Sequence, residues 1–186
     1  MTGVTLVTGA ASGLGRAIAE DLLSRGLTVI AADVNESALA ELQESLGSNA
    51  LTTHVCDVSS ESSVAALSRT ADAQGEVAAV VHSAGLVAVT RAPASDLTVE
   101  EFDRVMAVNA RGSWLIAREF IPLLALTRGS LVLFSSDTAF TGSHGLSHYV
   151  ASKGAVLSMM RAFAGEAGPS GVRVNAIAPG YTDTAG

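Results

Sequence analysis

Val4-Thr5-Leu6-Val7-Thr8-Gly9-Ala10-Ala11-Ser12-Gly13-Leu14-Gly15 opens the chain with a short apolar run that breaks on a glycine-rich turn. Leu14, Ile18, Leu22 and Leu23 follow at helical spacing up to Gly26, so the segment reads as a buried strand handing over to a helix. The same alternation then repeats. Further strands are expected at Thr28–Ala32, Leu51–Cys56, Val77–Val81, Ser130–Phe134 and Val172–Ala178. Between them fall a helix capped by Asn35 and stopped by Gly47, and a helix over Ser60–Gln74. A long helix opens on the capping box Thr98-Val99-Glu100-Glu101 and runs to about Leu126, bent in its last turns by Pro122. A last helix covers roughly Ser147–Ala167. Six strands handing over to helices or loops make βαβ units. The expected fold is α/β, a doubly wound Rossmann-type parallel sheet in a three-layer αβα sandwich.

Composition agrees with that fold and excludes others. The 186 residues suit a single domain spanning 1–186, with no internal boundary, repeat or low-complexity segment. Apolar residues make up 48% and charged residues 16%, the opposite of a disordered chain. One Trp, two Tyr and five Phe leave a core of small aliphatic side chains, which suits strands covered on both faces. A net charge of −7 argues against nucleic acid as a partner. No apolar run approaches the ~18 residues of a membrane span. Met1–Ala10 lacks the make-up of a cleavable leader, and the single cysteine, Cys56, suits a reducing compartment. A cytoplasmic protein is expected.

Open α/β sheets bind ligands beyond the carboxyl ends of their strands. Here those positions hold Gly9–Gly15, Asp33, Asp57, Ser83–Gly85, Ser135-Ser136 and Pro179–Thr184, mostly glycines, small hydroxyls and carboxylates. Gly9, Gly13 and Gly15 let backbone amides at a helix N-terminus approach a pyrophosphate, although a turn of this kind alone also makes a tight corner. Asp33 follows Gly15 by 18 residues, near the ~20 expected of an acid that binds an adenosine ribose. It could instead cap the next helix, but Asn35 already serves there. A carboxylate at that place repels a ribose phosphate, so NAD(H) is expected over NADP(H).

Tyr149 and Lys153 stand at i, i+4 on one helix face. An ammonium beside a phenol favours the phenolate, giving a general acid/base for a carbinol oxygen. Taken alone, such a pair is also an ordinary surface neighbour pair. Ser136 lies 13 residues before Tyr149, and Asn109 sits within the preceding long helix.

Together these residues make the chain similar to the classical short-chain dehydrogenase/reductase family. The features that carry the resemblance are TGAASGLG at Thr8–Gly15, Asp57-Val58, SAG at Ser83–Gly85 and Asn109 in MAVNARG. They continue with Ser135-Ser136, YVASK at Tyr149–Lys153 and PGYTDT at Pro179–Thr184. The resemblance implies a catalytic set of Tyr149 as acid/base, Ser136 holding the substrate oxygen, Lys153 on the nicotinamide ribose and lowering the tyrosine pKa, and Asn109 holding a relay water on a kinked helix. It implies cofactor contacts at Gly9, Ser12, Gly13, Leu14, Gly15, Asp33 and Val34. It adds Asp57 and Val58 at the adenine and Ser83, Ala84 and Gly85 along the cofactor. Pro179, Gly180, Thr182 and Thr184 complete the set at the carboxamide.

The activity implied is NAD(H)-dependent interconversion of a secondary alcohol and a ketone. A cofactor-binding regulator or scaffold without turnover is the rival from another class. A nucleotide-sugar epimerase would space its glycines differently from Gly9, Gly13 and Gly15. His82 stands where the family usually has asparagine, which puts one structural hydrogen bond in question, and Thr182 stands where an aliphatic residue is common. The chain ends at Gly186, inside the segment that covers substrate in the family, so it is expected to be part of a longer one. No histidine shows metal-ligand spacing: His54, His82, His144 and His148 read as packing or loop residues. The long helices are apolar on nearly every face, which together with the resemblance implies a homodimer or homotetramer packed through them.

Overall fold

The computed structural model describes residues 3–87 and 90–184. Val4–Thr8 forms β1, Thr28–Asp33 β2, Leu51–Val55 β3, Val77–His82 β4, Ser130–Phe134 β5 and Arg173–Ile177 β6. All five pairings are parallel, in the order β3-β2-β1-β4-β5-β6. The order reverses between β1 and β4. That places the glycine turn after β1 next to Ser83–Gly85 after β4 and opens a crevice there.

Helices cover both faces, as the two-residue period of the strands requires. Leu6, Ile30 and Ala32 point to one side, where α3 (Glu61–Gln74), α5 (Gly112–Thr127) and α7 (Ser147–Ala167) supply Leu67, Phe120 and Val156. Val7, Val29 and Ala31 point to the other, against α1 (Gly13–Ser24) and α2 (Glu36–Leu46). Burial on both faces is complete for β1 and nearly so for β2, whereas alternate residues of β4 and β5, such as Val81 and Val132, are only half-buried. The edge strands depart from it: Val55 on β3 is 48% exposed and Ile177 on β6 is 49% exposed.

Helix ends fall where the local chemistry puts them. The Asn35 side chain accepts from the Ala38 N–H at 3.1 Å, and Gly47 closes α2 in the left-handed region at φ 52°. Thr98 and Glu101 make the reciprocal bonds of a capping box at the start of α4 (Val99–Val105). One long helix to Leu126 does not follow, however. Met106–Arg111 is a π-helical segment joining α4 to α5, so the helix widens around Asn109 before Pro122 is reached. A one-turn helix, α6 (Thr138–Thr141), also occupies part of the loop before α7.

The spare apolar faces of the long helices stay partly open in the single chain. Trp114 is exposed with the Arg118 guanidinium 5.5 Å over its ring, and Leu126 is 78% exposed. No helix among the described residues is long and apolar enough to cross a membrane.

The hydrogen bond put in question by His82 is remade by its ring. His82 Nδ1 and Thr8 Oγ1 share a bond of 2.7 Å across β4 and β1, and the Ala84 N–H donates to the same Thr8 oxygen at 3.3 Å. His82 Nε2 is buried with no partner among the described residues. Burial, with the Lys153 charge behind it, lowers the imidazole pKa to about 3. The unfolded chain therefore takes up a proton below about pH 6.5 that the folded chain refuses until about pH 3. Stability held above that window is lost through it on acidification, about 5 kcal/mol. Denaturant unfolding at a series of pH values checks this: His82→Asn, whose amide reaches the same hydroxyl, is expected to flatten the acid limb between pH 6.5 and 3.

Candidate active site

The crevice at the strand ends is a cleft of about 850 Å³, of the size small-molecule and cofactor sites take. One wall is the glycine turn. Gly9 has φ +68°, and a Cβ there would stand 2.7 Å from the Ala84 backbone nitrogen. A Cβ on Gly15 would run into the Gly9 carbonyl oxygen. The turn thus packs backbone on backbone. Ser12 begins α1 without a side-chain capping bond, and no acidic residue lies in the first turn. Amides are left facing the cleft with the helix dipole behind them, a cradle for a pyrophosphate.

Asp33 stands at the end of β2 with both carboxylate oxygens engaged. Oδ2 accepts from the Ala11 N–H at 3.1 Å and Oδ1 from the Asn35 N–H at 3.0 Å. The carboxylate is therefore tied to the glycine turn itself, leaving the capping of α2 to Asn35. Asp57 is held at the end of β3, where Oδ1 accepts from the Ser59 N–H at 2.9 Å and the Ser59 hydroxyl at 2.7 Å. These groups and the cradle fit a dinucleotide laid across the strand ends.

The other end of the cleft holds the reactive side chains, and the helix α7 sets them. Tyr149 and Lys153 are both buried there, with the ammonium 5.7 Å from the phenol ring centroid. Lys153 is the single lysine of the sequence. Its Nζ donates to the Phe134 carbonyl at 2.9 Å, while the Ser135 hydroxyl donates to the Lys153 carbonyl at 2.9 Å. Helix α7 is stapled to the end of β5 at both points. Burial lowers the Lys153 pKa to about 8.

The expected acidification of the phenol by Lys153 is absent. Burial pushes the Tyr149 pKa above its ordinary value, the nearby Ser136 hydroxyl pulls it back, and the Asp137 charge pushes it up again. The reason is direction: the ammonium is aimed at the Phe134 carbonyl and the ring face. The phenol accordingly keeps its proton through the neutral range.

Asn109 does not line the cleft, and neither does Gly15. Both act from behind it. The Leu86 N–H donates to Asn109 Oδ1 at 2.8 Å, and Asn109 Nδ2 donates to the Leu86 carbonyl at 3.1 Å and to Ser152 Oγ at 3.0 Å. Ser152 in turn donates to the Tyr149 carbonyl at 2.7 Å. The Asn109 carbonyl accepts from the Ser113 hydroxyl at 2.6 Å inside the widened helix. Gly85 lies against this lock, since a Cβ there would stand 3.2 Å from Asn109 Oδ1 and 3.3 Å from Lys153 Nζ.

The remaining anticipated residues converge on the cleft. Ser12, Gly13, Leu14, Val34 and Val58 line it with Gly9, Asp33 and Asp57. Ser83, Ala84, Gly85, Ser136, Tyr149 and Lys153 line its inner end. Pro179, Gly180, Thr182 and Thr184 line its far wall. Arg104 and Leu86 also line it and were not anticipated, and Tyr181 lines it within the anticipated Pro179–Thr184 segment; no strand-end position marks Arg104, which arrives from α4. Ser152 was missed because its role depends on Asn109, 43 residues away. His148 is fully buried, with both ring nitrogens unpartnered among the described residues.

Comparison with known proteins agrees with this geometry. The profile of the short chain dehydrogenase family matches residues 3–186, and the chain belongs to that family of oxidoreductases, which bind a nicotinamide dinucleotide. The chain is 36% identical over 190 residues to 2-(R)-hydroxypropyl-CoM dehydrogenase of Xanthobacter autotrophicus, covering 99% of this chain and 76% of that one. It is 38% identical over 185 residues to cis-4-hydroxycyclohexanecarboxylate dehydrogenase of Sinomonas cyclohexanicum, covering 97% and 74%. The crystal structure of 3-ketoacyl-(acyl-carrier-protein) reductase from Brucella melitensis complexed with NADH superposes with a TM-score of 0.89 at 28% identity, covering 98% and 77%.

Two glycine substitutions separate the packing of the turn from ordinary helix propensity. Gly15→Ala is expected to lower the melting temperature and weaken dinucleotide binding at least about tenfold, because backbone must move at the cradle. Gly154→Ala on α7, where a Cβ meets nothing within 4 Å, is expected to gain roughly 0.5–1 kcal/mol. Thermal melts and cofactor fluorescence titrations of the two variants test both.

Proposed function

We propose that the chain interconverts a secondary alcohol and a ketone with NAD(H), using Tyr149, Ser136, Lys153 and Asn109. A bound nicotinamide dinucleotide supplies or accepts the hydride. Gly9, Ser12, Gly13, Leu14 and Gly15 hold the pyrophosphate, Asp33 and Val34 the adenosine ribose, and Asp57 and Val58 the adenine. Ser83, Ala84 and Gly85 run alongside, and Pro179, Gly180, Thr182 and Thr184 face the carboxamide.

In the reducing direction Tyr149 gives its phenolic proton to the carbonyl oxygen, and in the oxidising direction it takes the carbinol proton. Ser136 orients that oxygen, Lys153 places a positive charge beside the phenolate that forms, and Asn109 fixes the backbone around both. The observation that carries the reading is the meeting of two hydroxyls and the chain's single lysine at one end of a cleft whose other end is a backbone cradle.

Preference for NAD(H) rests on Asp33, whose carboxylate is fixed by two amides, and on Arg16, which pairs with Glu20 at 2.9 Å and so is already engaged. Two like charges ~4 Å apart cost ~1 kcal/mol in water and ~4 kcal/mol at an effective dielectric of 20. Rates across a panel of secondary alcohols should favour NAD over NADP at least about tenfold. Tyr149→Phe should cut turnover about a hundred- to ten-thousand-fold and leave cofactor binding in place. Cofactor binding with no turnover, unchanged by that substitution, would instead favour a regulator or scaffold.

The chain is further proposed to form a homodimer or homotetramer through the outer faces of α5 and α7, with Trp114 and Leu126 exposed on α5. Light scattering at micromolar concentration should give a multiple of the chain mass, and Trp114→Glu should reduce it.

A further inference from the structure

We propose that Asp137 selects the substrate by taking a cationic group on the carbon next to the reacting carbinol carbon, so that the favoured class is a vicinal amino alcohol or the matching amino ketone. This deepens the reading given above and rests on Ser136 and Tyr149 holding the reacting oxygen.

Asp137 follows β5 and begins α6, where an acid ordinarily caps the helix. It makes no side-chain capping bond there. Among the described residues it joins no ion pair. Its one side-chain hydrogen bond is to the reactive end of the cleft, where the Ser136 hydroxyl donates to Oδ1 at 3.1 Å. The other oxygen, Oδ2, lies 3.2 Å from where a Cβ on Gly180 would stand, at the rim of the far wall. The Asp137 N–H donates to the Pro179 carbonyl at 3.1 Å and fixes the residue against that wall. Lys153 does not neutralise it, being committed to the Phe134 carbonyl.

Just outside the cleft lining, an exposed carboxylate with one oxygen unpartnered among the described residues therefore stands beside the anchor of the reacting oxygen. A substrate oxygen that takes the Ser136 hydroxyl proton in place of Asp137 comes within roughly 6 Å of the carboxylate, two hydrogen-bond lengths. A substituent on the neighbouring carbon spans that gap. An ammonium there makes a charge-assisted bond, a hydroxyl a weaker one, a methyl none, and a carboxylate is repelled. The charge also reaches the phenol, since Asp137 is among the groups that raise the Tyr149 pKa. The relative from Sinomonas carries a carboxylate in the name of its substrate; Asp137 points to the opposite charge here.

Four methyl carbinols that differ in the other group on the carbinol carbon test the assignment. Isopropanolamine, propylene glycol and sec-butanol carry an amine, a hydroxyl and a methyl on the neighbouring carbon, and in lactate that carbon is the carboxylate. Their binding to the protein with NADH is measured by calorimetry at neutral pH, and their oxidation is followed separately with NAD. Isopropanolamine is expected to bind about tenfold tighter than sec-butanol, a size set by the exposure of the carboxylate, with lactate the weakest. Asp137→Asn and Asp137→Ser should melt like the wild type, since no cap or ion pair is lost, and should bring isopropanolamine and sec-butanol within about twofold of each other. Equal binding of the four, a preference for lactate, no binding of any, or a preference that survives both substitutions would overturn the assignment. Preferential binding of isopropanolamine without oxidation would uphold Asp137 and reject the hydride chemistry. Oxidation of the set without that preference would do the reverse.

Discussion

The Lys153 ammonium is buried at the end of β5, and the Phe134 carbonyl accepts its proton at 2.9 Å. A charge withdrawn from water is costly unless a polar partner faces it, and the surroundings are arranged around this one. Gly85 carries no side chain where a Cβ would press on Nζ. His82, nearby on β4, is kept neutral by burial and by the lysine's own charge. With its pKa lowered to about 8, the group still carries its charge at neutral pH, poised close to losing it. A lysine that shifts readily when buried is suited to such a place, whereas the guanidinium of an arginine stays charged. The sequence uses lysine nowhere else.

The second constraint is the Asn109 lock. Its side chain bonds both backbone groups of Leu86 and the hydroxyl of Ser152, and Ser152 reaches the Tyr149 carbonyl. The loop after β4, the widened turn between α4 and α5, and the catalytic turn of α7 are thereby joined through buried polar groups. Networks of this kind specify a single arrangement when every member is satisfied. The π segment is what turns Asn109 inward, and its own carbonyl is satisfied by Ser113. The reactive side chains Ser136, Tyr149 and Lys153 are buried, while Asp137 at the rim is exposed.

Much of this was legible in the chain because it depends on neighbours in sequence. Asn35, Gly47, Thr98 and Glu101 act within one helical turn, and the structure places those helix ends where they indicate. The strand period and the glycine turn fix the parallel sheet and its crevice, and nearly all the anticipated cofactor residues line that crevice. What stayed hidden depends on direction across the fold. The resemblance implied a kinked helix at Asn109, but the apolar spacing, which a π turn shares with an α turn, did not show that the kink is a widening over Met106–Arg111. The i, i+4 spacing brought Lys153 beside Tyr149 but could not say that the ammonium points at Phe134, so burial raises the phenol pKa where a decrease was expected. Asp137, just past β5, drew no reading from the sequence; only its missing cap and its bond to Ser136 set it apart.

Because the chain has one lysine, its side-chain ammonium gives a single signal in a nitrogen-15 lysine-labelled sample, and its titration can be followed directly. A midpoint near 8 is expected for a charge buried on the Phe134 carbonyl. A midpoint at or above 10.5, that of a lysine in water, would contradict the burial on which the site is built.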